Sequence, residues 1–187
     1  APLDDVRRAV RIVRAGAERW NVDPDRIGII GFSAGGHLAS SLATHFDAGD
    51  PTADDATDRA GCRPDFVILG YPVISFTEPF THAGSRRNLL GDDPPPDLVR
   101  SLSNELQVDS QTPPTFLFHT ADDASVPDED SIAFYRALRA AGVPAELHIY
   151  RSGPHGVGLG LKHPELASWP GLCADWLRAG GFLPPRP

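Results

Sequence analysis

A serine stands at the centre of a G-x-S-x-G stretch that runs from Gly31 to Gly35. An apolar run precedes this stretch and a helix-like segment follows it, so the order is strand, turn, helix. That order is typical of a nucleophile elbow, a turn sharp enough to strain the serine backbone. We expect the residues at Gly31 and Gly35 to be small, because larger side chains there would clash. The elbow would present the Ser33 hydroxyl at the carboxyl edge of a sheet, beside helical N–H groups that attract negative charge.

An acid and a base follow the serine in the order that a serine nucleophile on such an elbow needs. A second apolar stretch ends just before Asp122 and Asp123, and a third leads into a Gly/Pro-rich loop that contains His155. Asp123 lies 90 residues after Ser33, and His155 lies a further 32 residues on. Because all three follow strands, we expect them to meet at one rim of the sheet. There His155 would take the Ser33 proton, and Asp123 would hold the imidazole in the productive tautomer.

Each of these residues also has a purely structural interpretation. Ser33 could be an ordinary turn residue, and Asp123 could cap the helix that begins near Pro127. His155 could be a solvated loop residue, with His163 as the rival base. The order and the strand-end positions of the three residues favour the catalytic interpretation over these alternatives.

The other histidines and the acidic segment are interpreted as structural. Three histidines are expected to pack or to form hydrogen bonds: His37, His119 and His148. The acids between Asp47 and Asp58 lack the spacing of a calcium loop, and we interpret this segment as a solvated loop.

Apolar strand-like stretches alternate with helical periodicity, which predicts an α/β fold of three layers, with a mostly parallel sheet covered on both faces. The predicted strands run from Arg26 to Phe32, Asp65 to Leu69, Thr115 to His119 and Ala145 to Tyr150. The predicted helices run from Val6 to Trp20, His37 to Thr44, Asp128 to Ala141 and Leu166 to Ala179. A long insert over residues 71–114, with two weak helical stretches, is expected to form part of the pocket wall.

The composition indicates one domain and excludes several classes of partner. The 187 residues, 41% of them apolar, suffice for one core, so a single domain over residues 1–187 is predicted. The net charge of −8 and the lack of a basic cluster argue against nucleic acid. No apolar run approaches the roughly 20 residues of a membrane span, so no membrane partner is expected. No metal-ligand or cofactor-binding motif occurs, and we expect neither a metal nor a cofactor.

Four stretches of the sequence resemble the α/β-hydrolase family, close to its acetylxylan esterase and feruloyl esterase-like branch. They begin at Asp25, Gly70, Pro113 and Gly142. The resemblance extends from about residue 20 to the C-terminus. The family pattern D-x-x-V-P identifies the acid as Asp123, because Val126 and Pro127 follow it, with Asp122 as the alternative.

The resemblance implies an α/β-hydrolase fold and a serine ester hydrolase that acts on short acyl esters, acetyl or similar, linked to carbohydrate. It implies acyl-enzyme catalysis by Ser33, His155 and Asp123, with the N–H of Ala34 in the oxyanion hole. A small-molecule or carbohydrate ester is the implied partner, and a secreted or periplasmic location is slightly favoured. Two alternatives stay open: a serine peptidase of the prolyl oligopeptidase-like type, which shares D-x-x-V-P, and a weakly active or non-catalytic hydrolase fragment.

The sequence departs from the family pattern in its N-terminal part, before the elbow. Family members have further strands before the elbow and an H-G-G-G-like loop that supplies part of the oxyanion hole, and no H-G-G-G occurs here. We therefore expect an N-terminally truncated fold of about four core strands. The strand from Arg26 to Phe32 is apolar enough to be buried on both faces. Without a neighbouring strand it would expose an unpaired apolar edge, which proteins normally cover. We expect upstream polypeptide or a partner chain against that edge, supplying the second oxyanion donor.

Overall fold

A parallel sheet of four strands forms the centre of the computed structural model, which describes residues 2–186. The strands are β1 Gly28–Phe32, β2 Phe66–Gly70, β3 Thr115–Thr120 and β4 Ala145–Tyr150, and they neighbour one another in chain order. Ile30 of β1 lies opposite Ile68 of β2, which in turn lies opposite Phe116 of β3. All pairings are parallel, so the four carboxyl ends lie along one edge. The predicted parallel sheet is confirmed, with strand bounds that differ by at most two residues.

Seven α-helices accompany the strands within the described range. They are α1 Pro2–Ala15, α2 Ala17–Trp20, α3 Ala34–Thr44, α4 Ala83–Leu90, α5 Pro96–Ser101, α6 Glu129–Ala140 and α7 Trp169–Ala179. The predicted first helix is two segments, because it is interrupted at Gly16, a residue with poor helix propensity. The predicted closing helix begins as a short 3-10 turn, Leu166–Ser168, before α7. None of the helices in residues 2–186 has the length and apolar character needed to cross a bilayer.

Alternate side chains of each strand point to opposite faces of the sheet, and each face has its own core. One face packs against α3 and α6 through fully buried side chains that include Val67, Leu69, Leu117, Phe134 and Leu138. The other face packs against α7 through a set that includes Ile68, Phe116, Phe118, Trp169 and Cys173. Burial of one large apolar side chain contributes about 1.5–3 kcal/mol. Both helical layers therefore hold the sheet, and with it the loops at its carboxyl edge, in a fixed arrangement.

Strand β1 lies at one side of the sheet, and among residues 2–186 it pairs with β2 alone. Ile29 packs in a cluster with Val10 of α1 and Leu42 of α3, so Ile30 points to the opposite face. On that face Ile68 of the neighbouring strand is buried in the α7 cluster, but Ile30 is 51% exposed. Within residues 2–186, this face of β1 is therefore uncovered at Ile30.

The acidic segment between α3 and β2 is a largely exposed loop, as expected, and part of it pairs with α1. Two arginines of α1 form ion pairs with three of its carboxylates: Arg11 with Asp47, and Arg8 with Asp55 and Asp58. The carboxylates remain about half-exposed, and ion pairs in contact with solvent contribute little to stability. The pairs therefore orient the segment along α1 more than they stabilise the fold.

Candidate active site

Ser33 lies between β1 and α3 with a backbone that non-glycine residues rarely adopt, φ 54° and ψ −125°. This is the strain expected of a nucleophile elbow. A Cβ at Gly31 would lie 2.2 Å from the carbonyl oxygen of Gly35, so glycine is required there. The expectation for Gly35 is wrong, because a Cβ there would meet nothing within 4 Å. The crowded position is instead Gly36, where a Cβ would lie 2.6 Å from the Cβ of Pro72.

Ser33, His155 and Asp123 form a hydrogen-bonded row at the carboxyl edge of the sheet. His155 Nε2 lies 2.8 Å from Ser33 Oγ, and His155 Nδ1 lies 2.7 Å from Asp123 Oδ2. An ionised carboxylate only accepts hydrogen bonds, so Nδ1 carries the imidazole proton and Nε2 accepts from the Ser33 hydroxyl. The Asp123 side chain is 1% exposed and that of His155 is 22% exposed. The row can take a proton from Ser33 while its acid stays out of water.

Asp123 is held ionised by hydrogen bonds that outweigh its burial. Its Oδ1 accepts the N–H groups of Ser125 (2.8 Å) and Val126 (3.0 Å), and its Oδ2 accepts from His155. Burial alone would raise the pKa of Asp123, but these bonds lower it below the usual value. The N-cap of α6 is Asp128, so Asp123 does not have the capping role that was its structural interpretation.

Asp122 and His163, the alternatives for acid and base, lie outside this row. Asp122 is exposed, and it accepts the N–H of Gly153 (2.8 Å) and the hydroxyl of Ser152 (2.7 Å). His163 lines a surface cleft with Asp122 and Glu165. The structure thus brings Asp123 and His155 to Ser33, and it leaves Asp122 and His163 on the outer side of the loop.

Two further histidines have the structural contacts that the sequence predicted. His37 Nε2 donates to the carbonyl of Leu102 (2.8 Å), and its ring stacks on Phe76. Burial lowers the pKa of His37 to about 4, so the ring is neutral at ordinary pH. His148 bonds with Glu146 at 2.6 Å. Across residues 2–186 no group of three or more His, Cys, Asp or Glu side chains could hold a metal ion.

His119 lies beside the buried acid, a relation that the sequence reasoning missed. Its Nε2 is 2.9 Å from the carbonyl of Val126 and 3.6 Å from Asp123 Oδ2, and its Nδ1 is 2.8 Å from Ser131 Oγ. A carbonyl only accepts, so Nε2 carries the proton and Nδ1 accepts from the Ser131 hydroxyl. Burial lowers the pKa of His119, which keeps this arrangement neutral. No local sequence pattern predicts this relation, because the partners of the ring, Val126 and Ser131, lie beyond the strand that contains His119.

A buried carboxyl group on α6 holds the loop that follows β2 against the elbow. Asp130 Oδ1 accepts the N–H groups of Ile74 (2.9 Å) and Ser75 (2.7 Å), and the N–H of Val73 donates to the carbonyl of Ser33 (3.1 Å). Asp130 is fully buried, and burial raises its pKa to about 7 despite these two bonds. No local sequence pattern predicts this contact, because Asp130 and Ile74 are 56 residues apart in the sequence.

A cavity of about 630 Å³ adjoins the N-terminus of α3. Ala34 and Gly35 line one side of it, and residues of α4 and α5 line another. The apolar part of its wall consists mainly of Leu3, Leu38, Phe76, Leu89, Leu98 and Leu102. The insert between β2 and β3 therefore borders an apolar space next to Ala34, the residue that follows Ser33.

The parallel sheet, the strained serine between strand and helix, and the Ser–His–Asp row at the strand ends define an α/β hydrolase. This chain belongs to the BD-FAE family, whose profile matches residues 1–138. A solved acetyl ester-xyloside bifunctional hydrolase from Caldicellulosiruptor lactoaceticus is 52% identical with a TM-score of 0.96, over 98% of this chain and 67% of that one. The carboxylesterase Cest-2923 from Lactobacillus plantarum WCFS1 is 28% identical with a TM-score of 0.76, over 95% and 67%.

Two curated relatives connect the family with xylan. The acetylxylan esterase of Xylanibacter ruminicola is 40% identical over 185 residues, which cover 95% of this chain and 35% of that protein. The endo-1,4-beta-xylanase B of Butyrivibrio fibrisolvens is 44% identical over 156 residues, which cover 83% of this chain and 24% of that protein. The chain thus spans between about a quarter and about a third of the length of these two relatives.

Proposed function

We propose that this protein is a serine ester hydrolase that removes short acyl groups, acetyl above all, from carbohydrate. The observation that carries the proposal is the row of Ser33, His155 and Asp123, with contacts of 2.8 and 2.7 Å. The carbohydrate ester is supported by relatives named as an acetylxylan esterase and an acetyl ester-xyloside hydrolase. The proposal concerns a chain that spans only part of those relatives, so its substrate has to be measured on this protein.

In the proposed acylation step, Ser33 Oγ attacks the carbonyl carbon of the acyl group as His155 Nε2 takes the hydroxyl proton. Asp123 stabilises the imidazolium that forms, and the N–H of Ala34, the first residue of α3, donates to the oxyanion. The tetrahedral intermediate then collapses, and the bond between the acyl carbon and the sugar oxygen breaks. His155 returns its proton to that oxygen, which leaves as a free hydroxyl group.

In the proposed deacylation step, a water molecule replaces the sugar hydroxyl. His155 Nε2 takes a proton from the water as its oxygen attacks the acyl-Ser33 carbonyl. The second tetrahedral intermediate releases the short carboxylic acid, and Ser33 Oγ regains a proton from His155.

The oxyanion hole needs a second donor besides Ala34, and we propose that it comes from polypeptide lying against β1. Upstream polypeptide or a partner chain could supply it. The exposed side chain of Ile30 and the outer edge of β1 support this proposal. Loss of one oxyanion donor costs about 3–4 kcal/mol, or 100-fold or more in rate.

The proposed function is tested by substrate choice. We expect acetyl and propionyl esters, including acetylated xylo-oligosaccharides, to turn over faster than long-chain acyl esters. Aminoacyl-proline amides should not be hydrolysed. Faster turnover of long-chain esters would contradict the carbohydrate-ester proposal, and cleavage of the amides would favour a peptidase.

A serine-directed phosphonate tests the nucleophile itself. We expect one phosphonyl group per chain, bound to Ser33, as identified by mass spectrometry. Ser33→Ala should abolish both labelling and ester hydrolysis, while the neighbouring Ser40→Ala should retain labelling, since Ser40 Oγ bonds the backbone of α3. A wild-type chain that resists labelling would indicate a non-catalytic member of the family.

A further inference from the structure

His155 lies in the loop between β4 and α7, with Gly153 two residues before it and Gly158 three residues after it. At Gly153 both backbone polar groups bond to side chains. The N–H donates to Asp122 Oδ1 (2.8 Å), and the carbonyl accepts from the Thr120 hydroxyl (2.9 Å). Thr120 is the last residue of β3, so this end of the loop is fixed to the sheet.

Gly158 has the same double attachment on the other side of His155. Its N–H donates to the Tyr71 hydroxyl (3.3 Å), and its carbonyl accepts from Trp169 Nε1 (3.0 Å). Its backbone is left-handed, φ 54°, which glycine adopts without strain. The imidazole is therefore carried by a short segment whose two ends are each held by a pair of side chains.

Tyr71 and Trp169 are themselves rigidly placed. Tyr71 is 5% exposed, its φ of 37° is unusual for a non-glycine residue, and its N–H bonds to the carbonyl of Phe118 (2.8 Å). Its ring meets the His155 ring edge-on, with 4.9 Å between centroids. Trp169 is 3% exposed and stacks on Phe118 at 4.2 Å. Strained backbone that the surrounding packing holds in place is typical of functional sites.

We propose that the bonds to Gly153 and Gly158 position His155 for catalysis, with Tyr71 and Trp169 as positioning residues on the Gly158 side. The proposal rests on the proposed esterase function, since it assigns the residues that hold the base of that reaction. Proton transfer from Ser33 needs His155 Nε2 within hydrogen-bonding reach at the moment of attack. A loop released at Gly158 places the imidazole correctly for only part of the time, which lowers the rate of both chemical steps.

Conservative variants test the proposal by removing one hydrogen bond while keeping an aromatic side chain. Tyr71→Phe removes the acceptor for the Gly158 N–H, and Trp169→Phe removes the donor to its carbonyl. Tyr150→Phe is the matched control, because the Tyr150 hydroxyl bonds to Ser168 near α7 and makes no contact with Gly158. Activity is measured as kcat per phosphonate-titrated serine, and loop opening as hydrogen–deuterium exchange of a peptide covering residues 153–160.

We expect Tyr71→Phe and Trp169→Phe each to lower kcat by about 10-fold, with KM changed by less than about 2-fold. Exchange of the 153–160 peptide should rise in both variants, while Tyr150→Phe changes neither quantity. Unchanged exchange in Tyr71→Phe, or a KM effect without a kcat effect, would overturn the proposal. If Trp169→Phe fails to fold, Tyr71→Phe decides alone. If the wild-type chain hydrolyses no ester, the proposed function fails, and the exchange data still decide whether Tyr71 holds the loop.

Discussion

Two adjacent aspartates at the end of β3 bind different parts of the loop that carries His155. Asp123 is buried and accepts from the imidazole, whereas Asp122 is exposed and accepts from Ser152 and Gly153. Replacement by asparagine keeps one carbonyl acceptor and turns the other oxygen into a donor. At Asp123 the change places a donor near imidazole Nδ1 or turns the amide, and either outcome disturbs the tautomer in which Nε2 accepts from Ser33.

We expect Asp123→Asn to lower kcat on an acetyl ester by roughly 10⁴-fold, because the productive imidazole tautomer loses its acceptor. Asp122→Asn should cost less than about 10-fold, since the amide oxygen can still accept the Gly153 N–H. The unfolding temperatures of both variants, measured beside kcat and KM, show whether either loss reflects unfolding. A larger kcat loss in Asp122→Asn would reassign the acid of the row to Asp122.

The sequence allows the position of a residue to be predicted when that position follows from the segment that contains it. Ser33, Asp123 and His155 each follow a recognisable strand, so their arrival at one rim could be predicted from local pattern and chain order. His119 and Asp130 could not be assigned in this way, because their contacts depend on how separate elements pack. The same reason explains the error at the elbow: whether a glycine is crowded depends on neighbours such as Pro72, which lies in another segment.

At the scale of elements, α6 supports the elbow through the loop at residues 71–76. Asp130 of α6 bonds to the backbone of this loop, and its surroundings oppose ionisation of its carboxyl group. Burial raises its pKa to about 7, and the charges of Glu105 and Glu129 act in the same direction. The Glu105 carboxyl bonds to the hydroxyl of Ser75 (2.7 Å), while the Asp130 carboxyl accepts the N–H of the same residue. Two carboxyl groups therefore converge on Ser75, and the charge of Glu105 adds to the effect of burial on the pKa of Asp130.

A stability profile against pH tests this description of Asp130. Its pKa is higher in the folded chain than the ordinary value of 3.8, so between about pH 4 and 7 the folded chain holds a proton that the unfolded chain has lost. The contribution of Asp130 to the free energy of unfolding thus falls as pH rises through that range and levels off above about 7. Asp130→Asn, a neutral group of the same shape, should remove this fall.

We expect Asp130→Asn to exceed the wild type by roughly 2–4 kcal/mol in free energy of unfolding at pH 8 and to match it near pH 4. Urea unfolding at several pH values measures the difference. Asp93→Asn, at an exposed position, is the control and should leave the wild-type profile unchanged. A difference between Asp130→Asn and wild type that is independent of pH would mean that Asp130 is ionised in the folded chain throughout.

At the scale of the whole molecule, the two sides of the sheet are covered unequally. The apolar strand patterns predicted the parallel sheet correctly, yet they could not tell which side chains would be covered, since cover depends on where helices pack. α7 covers Ile68, while Ile30 on the adjacent β1 stays half-exposed beside an edge that pairs with nothing further among residues 2–186. An exposed apolar side chain on a strand with unpaired N–H and C=O groups favours pairing with another chain segment.

We therefore expect this 187-residue chain, taken alone, to self-associate through β1 in a concentration-dependent way, as measured by sedimentation velocity. Ile30→Lys should shift the chain toward monomer, because a charged side chain on an edge strand opposes strand pairing. Leu161→Lys is the matched control: Leu161 is 78% exposed, more than Ile30, but lies in the loop after His155. If exposed apolar area alone drove association, the control would shift it at least as much.

A wild-type chain that stays monomeric at high concentration and hydrolyses acetyl esters efficiently would show that β1 needs no further strand. It would also show that the oxyanion hole beside Ala34 needs no donor from outside these residues.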